Sequence, residues 1–294
     1  MPVETNQAWL SRRQFAALAA ATAAGLSAQT KVRFPVGLQQ TAVSRNIQQD
    51  LTGTLRAIAK MGYDIIEFSA GTFMNWTPDQ ARQVRGLLDD LNLKCRSTHN
   101  EIVSFSGDGL SKSIELNQII GSDTLVSVRG PAPSGSRGAA PGGTPATPPT
   151  LDAWKRFSDQ LSQAADRIRS AKMTLGFHNH GIEFELLEGT RPIDILAANK
   201  DITSFHLNIG LCLQAGGDPN AFIQQCPGRI QSLLVQDYKG KAHWKEIFDT
   251  AEKIGRLQFY LLQRTDGLFL VERKGNDLLD FAEKDLQYFR KLHG

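Results

Sequence analysis

Met173-Thr174-Leu175-Gly176-Phe177-His178-Asn179-His180-Gly181-Ile182-Glu183-Phe184 opens as an apolar run and closes on residues that bind metals or move protons. Met173 to Phe177 reads as a buried strand. In an extended chain successive side chains alternate faces, so His178 and His180 point the same way. Glu183 follows across a Gly-containing turn and can swing back toward them. Two imidazoles and a carboxylate at a strand's end suit either a divalent metal or proton transfer. The plainer alternative is a set of polar residues hydrogen-bonded in a loop, so the rest of the chain has to decide.

Outward from this stretch, short apolar runs alternate with amphipathic helical segments. Strands are predicted at Arg33–Leu38, Tyr63–Phe68, Leu93–Thr98, Thr124–Val128, Met173–Phe177, Ser204–Ile209, Ile230–Gln236 and Gln258–Gln263. Helices are predicted near Leu51–Met61, Pro78–Leu91, Leu110–Ile120, Leu151–Ala171, Ile193–Ala198, Asn220–Cys226, Trp244–Ile254 and Asp277–Leu292. Strands that are each followed by a helix fit a closed parallel barrel better than an open doubly wound sheet. The predicted fold is α/β, a single (β/α)8 TIM barrel over residues 31–294. Thr77-Pro78 and Asp218-Pro219 each place a capping side chain before a proline in the first helical turn.

Two segments break the rhythm. Residues 131–150 are rich in Pro, Gly, Ser, Thr and Ala, carry the single charge Arg137, and read as a long loop after the fourth strand, on the face where barrel active sites lie. A lid and a tolerated insertion are equally open readings. Residues 1–30 read as a twin-arginine signal peptide. Ser11-Arg12-Arg13-Gln14-Phe15 precedes the Ala-rich run Ala16–Leu26, and Leu26-Ser27-Ala28 offers small residues for cleavage. The expected location is bacterial, periplasmic or secreted, with no membrane association after cleavage.

The net charge is +3, and no Lys/Arg stripe follows a predicted helix face, which argues against a nucleic-acid partner. Cys95, Cys212 and Cys226 are too few and too irregularly spaced for a disulfide framework or a zinc knuckle. A Cys212–Cys226 bridge is permitted by an oxidising compartment but not demanded.

On a barrel, function gathers at the carboxyl ends of the strands. Those ends carry Gln39, Glu67, His99, Arg129, the His178–Glu183 cluster, His206 with Asn208, Gln236-Asp237 with Lys239, and Gln263. Four of the six histidines fall there, while His243 and His293 lie outside. Together they mark a polar pocket. Glu67 and Asp237 suit hydrogen-bonded supports better than catalysts.

At this level the chain resembles the sugar phosphate isomerase/epimerase family of the xylose isomerase-like TIM barrel superfamily. The resemblance runs from about Phe34 onward. It is carried by Gly62-Tyr63-Asp64-Ile65-Ile66-Glu67-Phe68, the His99 strand end, Phe177 to Phe184, Ala215-Gly216-Gly217-Asp218-Pro219, and Arg229 to Gly240. It implies a divalent metal, often Mn²⁺, that polarises a sugar carbonyl while a flanking carboxylate or His moves the neighbouring proton. Isomerisation, epimerisation or elimination would follow.

From strand six the chain departs from the pattern. Where the family has Asp, His and Glu, this sequence has Asn208, Leu234 and Gln263. Two carboxylates become amides of similar shape, and an imidazole becomes an alkyl group. Neither amide brings the charge a hard cation wants. The expectation is therefore an eroded metal site, with no metal assigned and Mn weak or absent. Under that resemblance Glu183 is the expected general base and His180 or His178 the acid or oxyanion partner. Glu67, His99, His206, Asn208, Lys239 and Gln263 are the expected contacts to a small-molecule carbohydrate. The alternative is a non-catalytic sugar-binding or partner protein on the same barrel.

Overall fold

A computed structural model describes residues 34–131, 149–263 and 277–293. The expected export signal and nearly all of the 131–150 loop lie outside the described residues. Eight parallel strands pair in chain order and close on themselves, β1 (Val36–Gln39), β2 (Ile65–Ser69), β3 (Ser97–Asn100), β4 (Thr124–Ser127), β5 (Thr174–His178), β6 (Ser204–Asn208), β7 (Ile230–Val235) and β8 (Phe259–Leu262). Closure is made by β1 against β8, with Gly37 opposite Leu261 and Leu38 opposite Leu262. The principal helices are α1 (Leu51–Met61), α2 (Pro78–Asp90), α3 (Gly107–Ile120), α4 (Leu151–Ser170), α5 (Pro192–Ala198), α6 (Pro219–Gln225), α7 (Trp244–Thr250) and α8 (Leu278–His293). The expected (β/α)8 barrel is the observed one. No described helix is long and apolar enough to cross a membrane.

Local chemistry sets the element ends. Thr77 Oγ1 accepts from the Gln80 N–H at 3.2 Å, while Gln80 Oε1 accepts from the Thr77 N–H at 2.8 Å. This reciprocal box starts α2 at Pro78, whose missing N–H costs nothing there. Asp218 Oδ1 likewise accepts from the Asn220 and Ala221 N–H groups ahead of α6. Helix α4 buries Trp154, Phe157, Leu161, Ala164, Ala165 and Ile168, a three-four spacing that lays one apolar stripe on the barrel wall.

The third strand differs from its prediction. Ladder pairing begins at Ser97 and includes His99 and Asn100, whereas Lys94 makes only an isolated bridge to Ile65. The apolar signal of Leu93 and Cys95 comes from burial ahead of the strand, so His99 stands inside the ladder rather than beyond it. All three cysteines are buried free thiols, and Cys212 and Cys226 are not bridged.

Inside the barrel, Ile65, Leu234, Phe259 and Leu261 form an apolar cluster. Gly37 makes room for it, because a Cβ there would stand 2.7 Å from the Leu261 side chain and 2.9 Å from that of Ile65. At the outer wall, the Tyr260 hydroxyl donates to Glu252 at 2.6 Å, and the His293 ring nitrogen lies 2.9 Å from both, tying α8 to β8. Gly37→Ala should destabilise the fold by about 1–3 kcal/mol through overpacking, read by denaturant unfolding. An unchanged midpoint would show that this layer has slack.

Candidate active site

The lowest point of the site is Glu67, in the middle of β2 and fully enclosed. Ser97 Oγ donates to its Oε1. His99 Nε2 lies 2.8 Å from Oε2, and His206 Nδ1 lies 3.4 Å from Oε1. Both imidazole contacts are bent, with the carboxylate oxygens off the N–H axes. Burial pushes the Glu67 carboxyl up. Its electrostatic contact with His99 and its close polar contacts with His206 and His99 outweigh that burial and hold it well below the usual carboxylate range.

Three imidazoles run from Glu67 toward the mouth. The ring of His99 lies 4.7 Å from that of His178, centroid to centroid, and His178 meets His180 edge-on at 5.1 Å. Period-two alternation along β5 gives this arrangement, with Gly176, His178 and His180 on one face. Burial depresses His178 well below the ordinary histidine value, helped by the neighbouring His99 and His180. His180 is lowered to about 4, by burial first and then by His99 and Arg129. His178 Nδ1 is buried without a hydrogen-bond partner.

The turn after β5 does swing Glu183 back. Its Oε2 accepts from the His180 backbone N–H at 2.8 Å, within the short 3-10 turn Ile182–Phe184. Burial raises the Glu183 carboxyl to about 7, against the pull of the backbone N–H groups of Glu183 and His180. Two carboxyl groups thus bracket the imidazoles, Glu67 ionised and Glu183 balanced near neutrality.

A second polar arc lies on the β6–β8–β1 side. Asn208 Nδ2 donates to Gln263 Oε1 at 3.3 Å, and Gln263 Nε2 donates to Thr41 Oγ1 at 3.1 Å. Asn208 Oδ1 is used by the Leu211 N–H at 3.0 Å, capping the short helix Ile209–Gln214. Asn179 braces the same corner, accepting from the Asn208 N–H at 2.8 Å and donating to its carbonyl at 3.2 Å. Leu234 sits in the apolar cluster below. Among the described residues, no group of three or more His, Cys, Asp and Glu side chains is arranged to hold a metal ion.

Of the expected site residues, Glu67, His99, His178, His180, His206, Asn208 and Gln263 converge on this one end of the barrel. Glu67, His206 and Asn208 are enclosed, their exposure 0%. Lys239 is exposed on the loop after β7, and its ammonium lies over the Tyr238 ring at 5.1 Å. Asp237 braces that loop by accepting from the Ala242 N–H at 3.1 Å. Ser97 and Thr41 were not singled out in the sequence. Ser97 is two residues before His99 on the same strand face, which was the available signal. Thr41 has no pattern that marks it.

The match to the family model described as xylose isomerase-like TIM barrel spans residues 55–255, and the chain belongs to that family. A structure described as a sugar phosphate isomerase/epimerase from Parabacteroides distasonis ATCC 8503 superposes with a TM-score of 0.70 at 19% identity, over 90% of this chain and 96% of that one. D-psicose 3-epimerase with D-fructose superposes at 0.63 with 12% identity, over 88% and 99% of the two chains. L-ribulose 3-epimerase superposes at 0.62 with 17% identity, over 88% and 94%. At these identities the likeness is one of fold. No curated protein matches the chain.

The shifted groups give opposite pH dependences. Glu183, ordinarily near 4.5 and here about 7, keeps its proton in the folded state while the unfolded chain loses it. Its stabilisation is full below about 4.5 and lost as pH rises to about 7. His180, ordinarily 6.5 and here about 4, and His178, also lowered, act the other way; their stabilisation is lost as pH falls below 6.5. Glu183→Gln removes only the descending part. Its stability should climb more steeply than wild type between about 4.5 and 6.5, by up to roughly 3 kcal/mol over the full window. Denaturant unfolding at stepped pH measures this, and parallel curves would contradict a raised Glu183.

Proposed function

We propose that the protein is an exported carbohydrate-active enzyme that abstracts a proton next to a sugar carbonyl, as an isomerase, epimerase or lyase, without a metal at the position its family uses. The observation that carries this reading is the row of imidazoles between two carboxyl groups of opposed character. A carboxyl poised near neutrality suits a general base that must also return its proton. Glu183 takes that role. His180 and His178, held neutral by burial, supply the acid or oxyanion partner. Carbohydrate is the substrate class because the family and its structural neighbours, which include D-psicose and L-ribulose 3-epimerases, work on this barrel.

The donor chemistry supports leaving the family's metal out. Asn208 spends its amide oxygen on the Leu211 N–H, Gln263 spends its own on the Asn208 amide, and Leu234 offers no donor. A hard divalent cation prefers anionic oxygen, which this corner lacks. The linking of the Asn208 amide to Gln263 and of Gln263 to Thr41 also favours a second reading, a non-catalytic barrel that binds sugar.

Deuterium exchange separates the two. In D₂O, with chelator or with added Mn²⁺, Mg²⁺, Co²⁺ or Zn²⁺, a panel of keto-sugars and oxidised glycosides should take up solvent deuterium beside the carbonyl. The metal-free rate should equal the supplemented one, and Glu183→Gln should slow it about 10²–10⁴-fold. Absence of exchange under every condition would end the catalytic reading, and calorimetric sugar binding would then support the second.

Export rests on Arg12-Arg13 and the apolar run behind them. Replacing both arginines by lysine should retain an unprocessed precursor in the cytoplasm of a host with the twin-arginine pathway. Normal processing of that variant would remove the export assignment.

A further inference from the structure

Gln39, at the end of β1, contacts the site through one side-chain amide whose orientation is fixed by an unambiguous donor. The Thr41 backbone N–H donates to Gln39 Oε1 at 2.7 Å, and the Thr41 hydroxyl donates to the same oxygen. A backbone N–H cannot accept, so Oε1 faces Thr41 and Nε2 faces away. That Nε2 lies 3.1 Å from Ser69 Oγ and 3.2 Å from His99 Nδ1. Since the amide nitrogen has only hydrogens to offer, His99 Nδ1 must present its lone pair. A proton on that nitrogen would set N–H against N–H.

The other ring nitrogen is held less tightly. His99 Nε2 stands 2.8 Å from a Glu67 carboxylate oxygen in a bent contact, which favours a proton there without fixing it. With the Nδ1 lone pair turned to Gln39, the proton belongs on Nε2. His99 is buried, so water cannot relieve a wrong tautomer from the outside.

We propose that Gln39 is a positioning residue which, anchored by Thr41, locks His99 in the Nε2–H tautomer, holds Nδ1 while Nε2 is turned toward Glu67, and so makes His99 a support for the imidazole row rather than a contact to substrate. The assignment goes beyond the proposed reaction and does not depend on it, because it concerns the resting protein. It replaces the expectation, drawn from sequence, that His99 touches the sugar.

Nitrogen-15 NMR of protein labelled at histidine tests it without turnover. The His99 resonances are assigned by their loss in His99→Gln. In wild type, His99 Nδ1 should fall in the pyridine-like range and Nε2 in the pyrrole-like range. Gln39→Glu places an acceptor where the donor was, and His99 Nδ1 should move into the N–H range. Gln39→Met removes the donor while keeping the chain's length, and Nδ1 should shift to an average of the two tautomers. Circular dichroism establishes that each variant is folded, and Gln39→Met decides the matter if Gln39→Glu is not. A wild-type Nδ1 in the pyrrole-like range would overturn the assignment, as would His99 signals unmoved in a folded Gln39 variant. Failure of sugar turnover would leave these signals as they are, so the two readings fail separately.

Discussion

A carboxylate with no access to water sits at the centre of this barrel, and the polar architecture is organised to keep it there. Removing an ionised carboxylate from water costs several kcal/mol after relaxation, so Glu67 is tolerable only with polar contacts from more than one side. They come from β3 through Ser97 and His99 and from β6 through His206. β3 is the neighbour of β2 in the closed sheet, whereas β6 lies on the far side, so the His206 contact crosses the barrel interior. These contacts set the depth and tilt of the His99 ring, against which His178 and then His180 pack in tilted and edge-on contacts.

The same end of the barrel shows two ways of fixing strand ends with polar side chains. On one side a single buried negative charge gathers imidazoles and a hydroxyl. On the other, amides satisfy one another in sequence from Asn208 to Gln263 to Thr41 and on to Gln39. Amides carry both a donor and an acceptor, so they can be linked head to tail in a way that carboxylates cannot. Leu234 lies beneath, on a dry layer with Ile65, Phe259 and Leu261. On the proposed reading, retained shape and lost charge at positions 208 and 263 belong to a site whose rigidity comes from directional hydrogen bonds.

The sequence disclosed the barrel because burial and periodicity are local signals. Helix α1 is observed as predicted, most other helix ends agree to within a few residues, and the proline-containing caps of α2 and α6 were readable from adjacent residues. The strand-end rule also brought His99, His178, His180 and His206 to one place. The pairing among them was not readable. Gln39 meets His99 across 60 residues and Gln263 meets Thr41 across 222, and no spacing rule connects such positions. The beginning of β3 was misplaced because Leu93 and Cys95 are buried without being in the ladder. Lys239 shows the limit of a charge-based reading, since its backbone adopts a left-handed φ of 54° and its ammonium finds the Tyr238 ring on its own loop.

Closure of β8 on β1 also determines when in folding such a site can exist. Thr41 lies just after the first strand and Gln263 just after the last, so their hydrogen bond has among the longest loop-closure distances the chain offers. Any partly folded species that lacks β8 lacks the Gln263 amide, and with it the link from Asn208 to Thr41 and Gln39. The imidazole row can begin to assemble from β3 and β5, but the arc that completes the mouth arrives only with the final strand. Completion of the polar mouth and completion of the barrel are one event, and a half-made chain has no version of this site to offer.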